Sequence, residues 1–582
     1  MSNDMRRSLS GAIWKRAMPS ETDVHRLATE LGISPLVAAC LVNRGITTPE
    51  RATAFLAPDL AHIPDPQPMW NLDEAIRVLT GALSRRERVQ IVGDYDCDGT
   101  TGLITLRNVL RLLGSEDDCV SYYVPDRERE GYGLNPGIIE RAAAAGVQVL
   151  VSVDIGITAH QEWDMARERG ITGVCLDHHT ALGSRVPSSA IVVCPKQAGD
   201  PYPEKDLAAC GLAWQMARAL LDERPNGAAI LRSLTKLVAI GTYADLVPLS
   251  SLANRAIVAE GLRGLNQGSK NPGLAALMEV ARLDQRVIGA SDLGFRLGPR
   301  INAAGRIEGT TLSVIELFDS HTLEEARPRA QQIDAWNTER QDVQRRLVEQ
   351  LEKRITDQAQ DDFVYVLAGD HADGWKQGVV GIAASKVVET YHRPALVCSL
   401  RDGIAHGSGR SIPQFNLIEA LQWVGSDGLF LRYGGHPAAA GFCLPVERLP
   451  ELHRRLNEYA RQTLTPDDLI RAYTYDGNLP LADLTVAFVE SLARLEPHGI
   501  GNPAPRFVVR GRILEQRVLK DLHLKLILAD DQARIEVLWW NQHGYAGQLP
   551  KHTLVEVLGR PDINVWNGNR TTQFIATDIR LA

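Results

Sequence analysis

Between residues 71 and 250 short apolar runs alternate with helical segments, and each run ends within a few residues of an aspartate. The runs are Val89–Val92, Val147–Val153, Gly173–Leu176 and Leu237–Ile240. Their length and their flanking signals read as strands. Between the first two, Thr101 to Leu113 places Leu103, Leu106, Val109, Leu110 and Leu113 on one helical face. Strand and helix in alternation predict βαβ units and a mostly parallel sheet, whose ligands bind beyond the carboxyl ends of the strands.

The aspartates stand at those ends. After the first run comes Asp94-Tyr95-Asp96-Cys97-Asp98-Gly99. In extended backbone side chains repeat every two residues, so Asp94, Asp96 and Asp98 are expected on one side. Three such charges repel one another unless a cation compensates, and a divalent ion preferring oxygen ligands is the simplest compensation. Asp154 follows the second run, Asp177-His178-His179 the third, and Asp245 comes shortly after the fourth. Taken singly, an acidic loop is commonly solvated, and a strand-end aspartate is commonly a helix cap. Four such elements, each behind an apolar run, instead suggest carboxylates and imidazole converging on Mn²⁺ or Mg²⁺, with no thiolate to favour zinc.

At 582 residues the chain exceeds one hydrophobic core, and three or four domains are expected. Residues 1–70 read as an N-terminal helical segment, with helical spacing from Glu21 to Arg44 and then Pro58, Pro64, Pro66 and Pro68. It suits either a cap on the main domain or a partner-binding arm. Residues 71–290 form the parallel-sheet domain, and 291–355 a connecting helical region. There Ile333, Trp336, Val343, Leu347 and Leu351 trace a stripe along a helix from about 329 to 355, with Pro328 marking its start. A second α/β region spans 356–455. Residues 465–582 hold short strands at Phe507–Val509, Leu524–Leu528, Ile535–Trp540 and Leu554–Leu558, which predict a small barrel or sandwich.

No apolar run is long enough to span a membrane, and the charged amino terminus lacks a secretory pattern, so a cytoplasmic protein is expected. The eight cysteines include no C-x-x-C pair and suit reduced thiols. The net charge of −8 does not advertise a nucleic-acid binder, although a local basic track remains compatible with it.

The order of D-Y-D-x-D-G, strand-end Asp, D-H-H and later Asp resembles the DHH phosphoesterase superfamily, and within it the single-strand-specific exonucleases. The resemblance continues through Gly298-Pro299-Arg300-Ile301-Asn302-Ala303-Ala304-Gly305-Arg306 and Asn337-Thr338-Glu339-Arg340-Gln341. It extends to Gly378-Val379-Val380-Gly381, Gly407-Ser408-Gly409-Arg410-Ser411, Gly434-Gly435-His436-Pro437 and His498-Gly499-Ile500-Gly501-Asn502-Pro503. It implies an α/β fold in which a parallel-sheet DHH domain is joined by a long helix to a second α/β domain of DHHA1 type, plus a C-terminal OB-fold β-barrel. The implied activity is 5′-to-3′ hydrolysis of single-stranded DNA to 5′-mononucleotides in recombination and repair, with two divalent ions, Mn²⁺ or Mg²⁺. The implied partners are a single strand with a 5′ end, a helicase and a single-strand-binding protein, and the implied state is a monomer. Two positions depart from the pattern. Val92 stands where some members carry a histidine, which leaves one metal with fewer protein ligands, and Trp375-Lys376 replaces Trp-His.

Carried over residue by residue, the resemblance assigns Asp96, Asp98, Asp154, His178 and Asp245 to the metals, with Asp154 bridging and Asp94 in support. His179 orients the site or touches the scissile phosphate, and Arg300, Asn302 and Arg306 stabilise developing charge. His436 contacts the phosphate, Ser408 and Arg410 the terminal 5′-phosphate, and Arg127 and Arg129 the incoming strand. In the last domain Arg506, Arg510, Arg512, Lys520 and Lys525, with Trp539, Trp540 and Trp566, offer a single-strand track, although Trp539 or Trp540 equally suits a barrel core, since adjacent strand residues face opposite sides. Three competing readings stand beside this one. Asp96-Cys97-Asp98-Gly99-Thr100 also matches haloacid-dehalogenase-type phosphatases, with Asp96 as nucleophile. The others are a small-molecule phosphodiesterase or pyrophosphatase, and a non-catalytic scaffold that binds single strands.

Overall fold

In the computed structural model, which describes residues 6–114, 119–181, 185–357 and 361–582, the alternation resolves into one five-stranded parallel sheet. Its strands are β1 (Val89–Gly93), β2 (Val120–Tyr123), β3 (Val149–Val153), β4 (Thr172–Leu176) and β5 (Ala190–Val193), in the order β2-β1-β3-β4-β5. Three of the four expected strands are present. The fourth run, Leu237–Ile240, instead lies in the helix Gly227–Ala244. Its residues are buried against the neighbouring helices Cys97–Leu113, Ala209–Leu220 and Leu252–Asn266. A helix buried all round carries a continuous apolar run, which periodicity cannot distinguish from a strand. At the closest helix crossing a Cβ on Gly241 would lie 2.1 Å from the Thr101 hydroxyl, so only glycine fits there.

A second sheet follows, with β6 (Tyr365–Asp370), β7 (Ala395–Arg401), β8 (Ile404–Arg410), β9 (Arg432–His436) and β10 (Ala439–Pro445) in the order β9-β10-β8-β7-β6. The helix Leu323–Asp357, 35 residues long, links the two sheets. It begins five residues before Pro328, which therefore lies inside the helix rather than at its start and removes the bond to the Glu324 carbonyl. Its first half sends Ala326, Ala330 and Ile333 into the core of the first sheet. Its second half sends Val343, Leu347, Leu351 and Ile355 into a core with Trp375 and Val379 beside the second sheet.

The C-terminal strands close into a barrel: Phe507–Leu519 pairs with His523–Ala529 on one side and with Leu554–Trp566 on the other. The helices of the N-terminal segment pack on this barrel, while its last residues, with Ile63 and Met69, join the core of the first α/β domain. Leu27, Val37, Leu41 and Phe55 share a core with Phe507, Val509 and Leu524, and Ile13–Arg16 pairs as a parallel strand with Ala472–Tyr475.

Arg255, fully buried on the helix Leu252–Asn266, ties these parts together. Its Nε donates to Phe55 O at 2.7 Å, and its terminal nitrogens donate to the carbonyls of Pro497, Arg494 and Glu496. The guanidinium lies 3.7 Å over the Phe55 ring. Burial, then the Arg44 charge, pushes its pKa down to about 9, still leaving it protonated at neutral pH. Deleting it removes four hydrogen bonds to carbonyls, two of them buried, and leaves Phe55 O without this donor, so Arg255→Ala is expected to cost about 3 kcal/mol in urea unfolding. A loss below about 1 kcal/mol would show that the clamp is dispensable.

Candidate metal centre

The parallel register aligns the strand ends: Gly93 on β1 faces Val153 on β3, which faces Leu176 on β4. One further backbone bond per strand carries the alignment past the sheet. Asp94 N–H donates to Val153 O, Asp154 N–H to Leu176 O and Asp177 N–H to Val193 O. Thus Asp94, Asp154 and Asp177 emerge side by side at the carboxyl edge.

The three acidic positions of the first motif do not share an extended strand. The chain turns after Asp94, Asp96 caps the helix Cys97–Leu113 by accepting from Gly99 N–H at 3.0 Å, and Asp98 sits in its first turn. Gly99 is required by the close approach, because a Cβ there would lie 2.6 Å from the Asp94 nitrogen. The tight turn, not a two-residue period, brings the carboxylates together. Asp98 is anchored by the N–H groups of Ala209 and Cys210, each at 2.8 Å. Asp245 arrives from the C-terminal end of the helix Gly227–Ala244.

Three overlapping sets of ligand atoms result, each with its atoms within 4.8 Å of one another: Asp94, Asp96 and Asp154; Asp98, His178 and Asp245; Asp154, His178 and His179. His178 Nε2 lies 3.3 Å from Asp154, 3.6 Å from Asp245 and 3.8 Å from Asp98. Asp94 Oδ1, Asp154 Oδ1, Asp245 Oδ2 and both ring nitrogens of His178 are buried without a hydrogen-bond partner. Buried polar atoms normally find partners, and unpaired ones aimed at a common point are what a cation site requires. Burial, and then neighbouring carboxylates, raises Asp94, Asp154 and Asp245 well above the usual carboxylate range; burial also raises Asp98. Burial holds His178 down at about 4, so it is a neutral ligand at physiological pH. These residues fit divalent cations with oxygen and imidazole ligands. Asp154 adopts φ +68°, a left-handed conformation uncommon outside glycine and typical of strained functional positions.

His179 is held differently. Its Nδ1 lies 2.8 Å from Asp177 Oδ1, and the other oxygen of Asp177 accepts from Ile157 N–H. Burial opposes protonation of His179, but the bond and charge of Asp177 win and its pKa is raised. The ring of His436, carried on β9 of the second sheet, stacks parallel to that of His179 at 6.4 Å. Arg306 donates to Gly378 O, and its pKa is pushed down to about 9 by burial and then by the charges of Arg127 and Arg340. Arg300 is not at the centre. Its guanidinium is taken up by Asp334 and the carbonyls of Arg296 and Val280, tying the helix Gly298–Ile307 to the long helix. Asn302 supports the acidic turn instead, accepting from Cys97 N–H at 2.8 Å.

A cavity of about 540 Å³ beside Tyr95 is lined by Arg127, Arg129, Gln377, Ser408 and Arg432, among others. Arg410 donates to Ser408 Oγ at 2.9 Å, and Arg127 lies 5.1 Å over the Tyr95 ring. The start of the helix Gln377–Tyr391 meets this cavity, and helix N-termini favour anions. Arg129 stands at the rim with its side chain 87% exposed. Lys376 is paired with Glu339 at 3.1 Å. Val92 is buried in the core with Leu134 and Ile138, away from the ligand sets. Two residues were not singled out in the sequence, Lys196 whose charge reaches His178, Asp245 and His436, and Tyr132, edge-on to His179; Asp177 was, but not as the orienter of His179. Lys196 follows β5 at the same sheet edge, which is the signal that would have found it.

A parallel sheet ending in this D-H-H cluster defines a DHH-type protein. Residues 88–242 match the DHH family N-terminal domain, 361–462 the DHHA1 domain and 475–578 the RecJ OB domain. The chain belongs to the RecJ family. It is 36% identical over 97% of its length to the single-stranded-DNA-specific exonuclease RecJ of Bacillus subtilis, covering 70% of that protein. To the enzyme of the same name from Escherichia coli it is 33% identical, covering 94% of this chain and 96% of that one. The crystal structure of RecJ in complex with Mn²⁺ from Thermus thermophilus superimposes with a TM-score of 0.82 at 30% identity, over 98% of this chain and 79% of that one. The dehalogenase reading of Asp96 falls with this, since it leaves the D-H-H and Asp245 without a role.

Without cations the cluster is under electrostatic strain, which gives a test independent of catalysis. Mn²⁺ or Mg²⁺ at about 100 times its Kd should add about 2.7 kcal/mol of stability, read as a rise in melting temperature. Asp154→Asn should melt higher than the metal-free parent and lose most of the metal-induced rise. A variant with an unchanged metal response would remove Asp154 from the ligand set.

Proposed function

We propose that the chain degrades single-stranded DNA from its 5′ end by hydrolysis, releasing 5′-mononucleotides. The observation that carries this is the buried carboxylate–imidazole cluster with its ligand atoms unpaired, lying beside an arginine-lined cavity. In this reading Asp94, Asp96 and Asp154 would hold one divalent cation and Asp98, His178 and Asp245 the other, with Asp154 shared between the sets. Mn²⁺ or Mg²⁺ held there would supply an acidified water for attack and neutralise charge growing on the phosphoryl group.

The rest falls to the chain's own residues. Ser408, Arg410 and the start of the helix Gln377–Tyr391 hold the terminal phosphate, and Arg127 closes over it from the Tyr95 side. With Nδ1 committed to Asp177, His179 presents Nε2 to the scissile phosphate, and its raised pKa lets that nitrogen donate a proton or hydrogen bond to a phosphoryl oxygen. His436 packs beside it and Arg306 supplies fixed positive charge. Cleavage of the bond between phosphorus and the 3′ oxygen of the terminal nucleotide leaves a new 5′-phosphate, ready for the next cycle. Duplex substrates would then depend on a helicase and a single-strand-binding protein to expose the strand. One chain carries the complete centre and acts as a monomer, in recombination and repair.

Digestion of single strands labelled at either end, with Mn²⁺ or Mg²⁺, tests this. Mononucleotides should appear from the 5′ label first; loss of the 3′ label first would reverse the polarity. Asp154→Ala and His178→Ala should each slow release by roughly a thousandfold. Arg410→Ala should reduce the advantage of a 5′-phosphate over a 5′-hydroxyl by roughly ten- to a hundredfold, the worth of one charge-assisted hydrogen bond.

A further inference from the structure

The carboxyl edge of the first sheet has two margins, and each carries a cation. In the strand order β2-β1-β3-β4-β5, Arg127 comes four positions past β2, Asp94 directly after β1, Asp154 after β3, the D-H-H after β4, and Lys196 three positions past β5. Strands about 4.8 Å apart place the two margins roughly 19 Å from each other, with the acidic cluster between them. On the β2 side Arg127 lies over Tyr95 and lines the cavity with Ser408. Lys196 stands on the opposite side of the cluster.

The backbone around Lys196 is pinned, whereas its own ammonium is left unpaired. Gln197 N–H donates to Cys194 O at 3.1 Å, closing a tight turn over Pro195 and Lys196. The Gln197 side chain donates to Val192 O and Cys194 O, and Lys205 donates to Pro195 O at 2.9 Å. The Cys194 thiol lies 3.7 Å from His179 O, which joins this turn to the D-H-H. Among the described residues, Lys196 makes no side-chain hydrogen bond or ion pair. Yet it is close to the centre: burial is the main cause of the shifts of Asp245, His178 and His436, and the Lys196 charge acts on each of them. An ammonium held beside several carboxylates and bonded to none of them is available to an anion from outside the chain.

A strand with its terminal phosphate at Ser408 and its scissile phosphate at the cluster enters this edge from the Arg127 side. Its backbone then continues toward the β5 margin, and the next charged group along it is another phosphate. We propose that Lys196 binds the phosphate adjacent to the scissile one on its 3′ side, a subsite for the part of the strand that remains after each cleavage. Such a contact is made to the backbone and reads no sequence. A released mononucleotide lacks this phosphate, so the contact retains the polymer and lets the product go. This rests on the activity proposed above.

The test uses 5′-phosphorylated oligothymidylates with one neutral methylphosphonate at the second, third or fourth linkage, leaving the scissile first linkage intact. For the whole chain, a neutral second linkage should lower kcat/KM of the first cleavage by about tenfold, the worth of one charge-assisted hydrogen bond. A neutral fourth linkage should change it little. Lys196→Gln, which keeps the length and removes the charge, should lose about the same factor on the all-phosphate strand. It should also be indifferent to the neutral second linkage, as a double-mutant cycle requires. Its kcat/KM should fall less steeply with salt, the log–log slope being shallower by about 0.7. Lys196→Arg should restore both behaviours, separating the contact from misfolding. The subsite is overturned if nucleotides are released but no neutral linkage beyond the first changes the rate by more than about twofold. It is equally overturned if Lys196→Gln keeps the full ratio between all-phosphate and neutral-linkage strands. Release of no nucleotide from any single strand overturns the proposed activity, and the subsite with it.

Discussion

Mutual repulsion among buried carboxylates is the constraint on which the rest of the structure depends. Asp94, Asp98, Asp154 and Asp245 are brought together where water is scarce, an arrangement that proton uptake or bound cations relieve. Holding them there takes rigid scaffolding. The in-register parallel strands supply Asp94 and Asp154, a helix start supplies Asp96 and Asp98, and a helix end supplies Asp245. Each is fixed by backbone geometry rather than by a flexible side chain, so the ligand atoms remain close despite their charge. The anchoring of Asp98 by two N–H groups offsets part of its burial.

The centre is completed from outside the first sheet. His436 comes from the second sheet and stacks on His179, and Arg306 bonds to Gly378 across the same boundary. Catalytic geometry therefore depends on the two α/β bodies keeping their mutual position. On another flank the segment 494–500 ties the barrel and the N-terminal helices to the first sheet through Arg255 and Tyr243. The net charge of −8 thus hides a local segregation: acidic groups concentrate at the D-H-H cluster, while Arg127, Arg306 and Arg410 gather near one another beside it.

Much of this was legible in the sequence because strand-end chemistry is local. An apolar run followed by aspartate identifies both a strand and its functional end, and that logic located Asp94, Asp154 and the D-H-H. It failed at Leu237–Ile240, where burial on all sides erases the helical period. It also placed Arg300 at the phosphate, whereas its partners Asp334 and Arg296 O hold it elsewhere, a choice set by tertiary packing. The docking of the N-terminal segment on the barrel depends on contacts between residues nearly 500 positions apart, which no local pattern encodes.

The helix Leu323–Asp357 has one end rooted in each α/β core. An α-helix of this length is a stiff rod of about 50 Å whose two ends have a fixed rotational phase. It thereby acts as a caliper, setting how far the second sheet, with Ser408 and Arg410, stands from the D-H-H cluster. Adding one residue to the rod would turn one core by about 100° against the other.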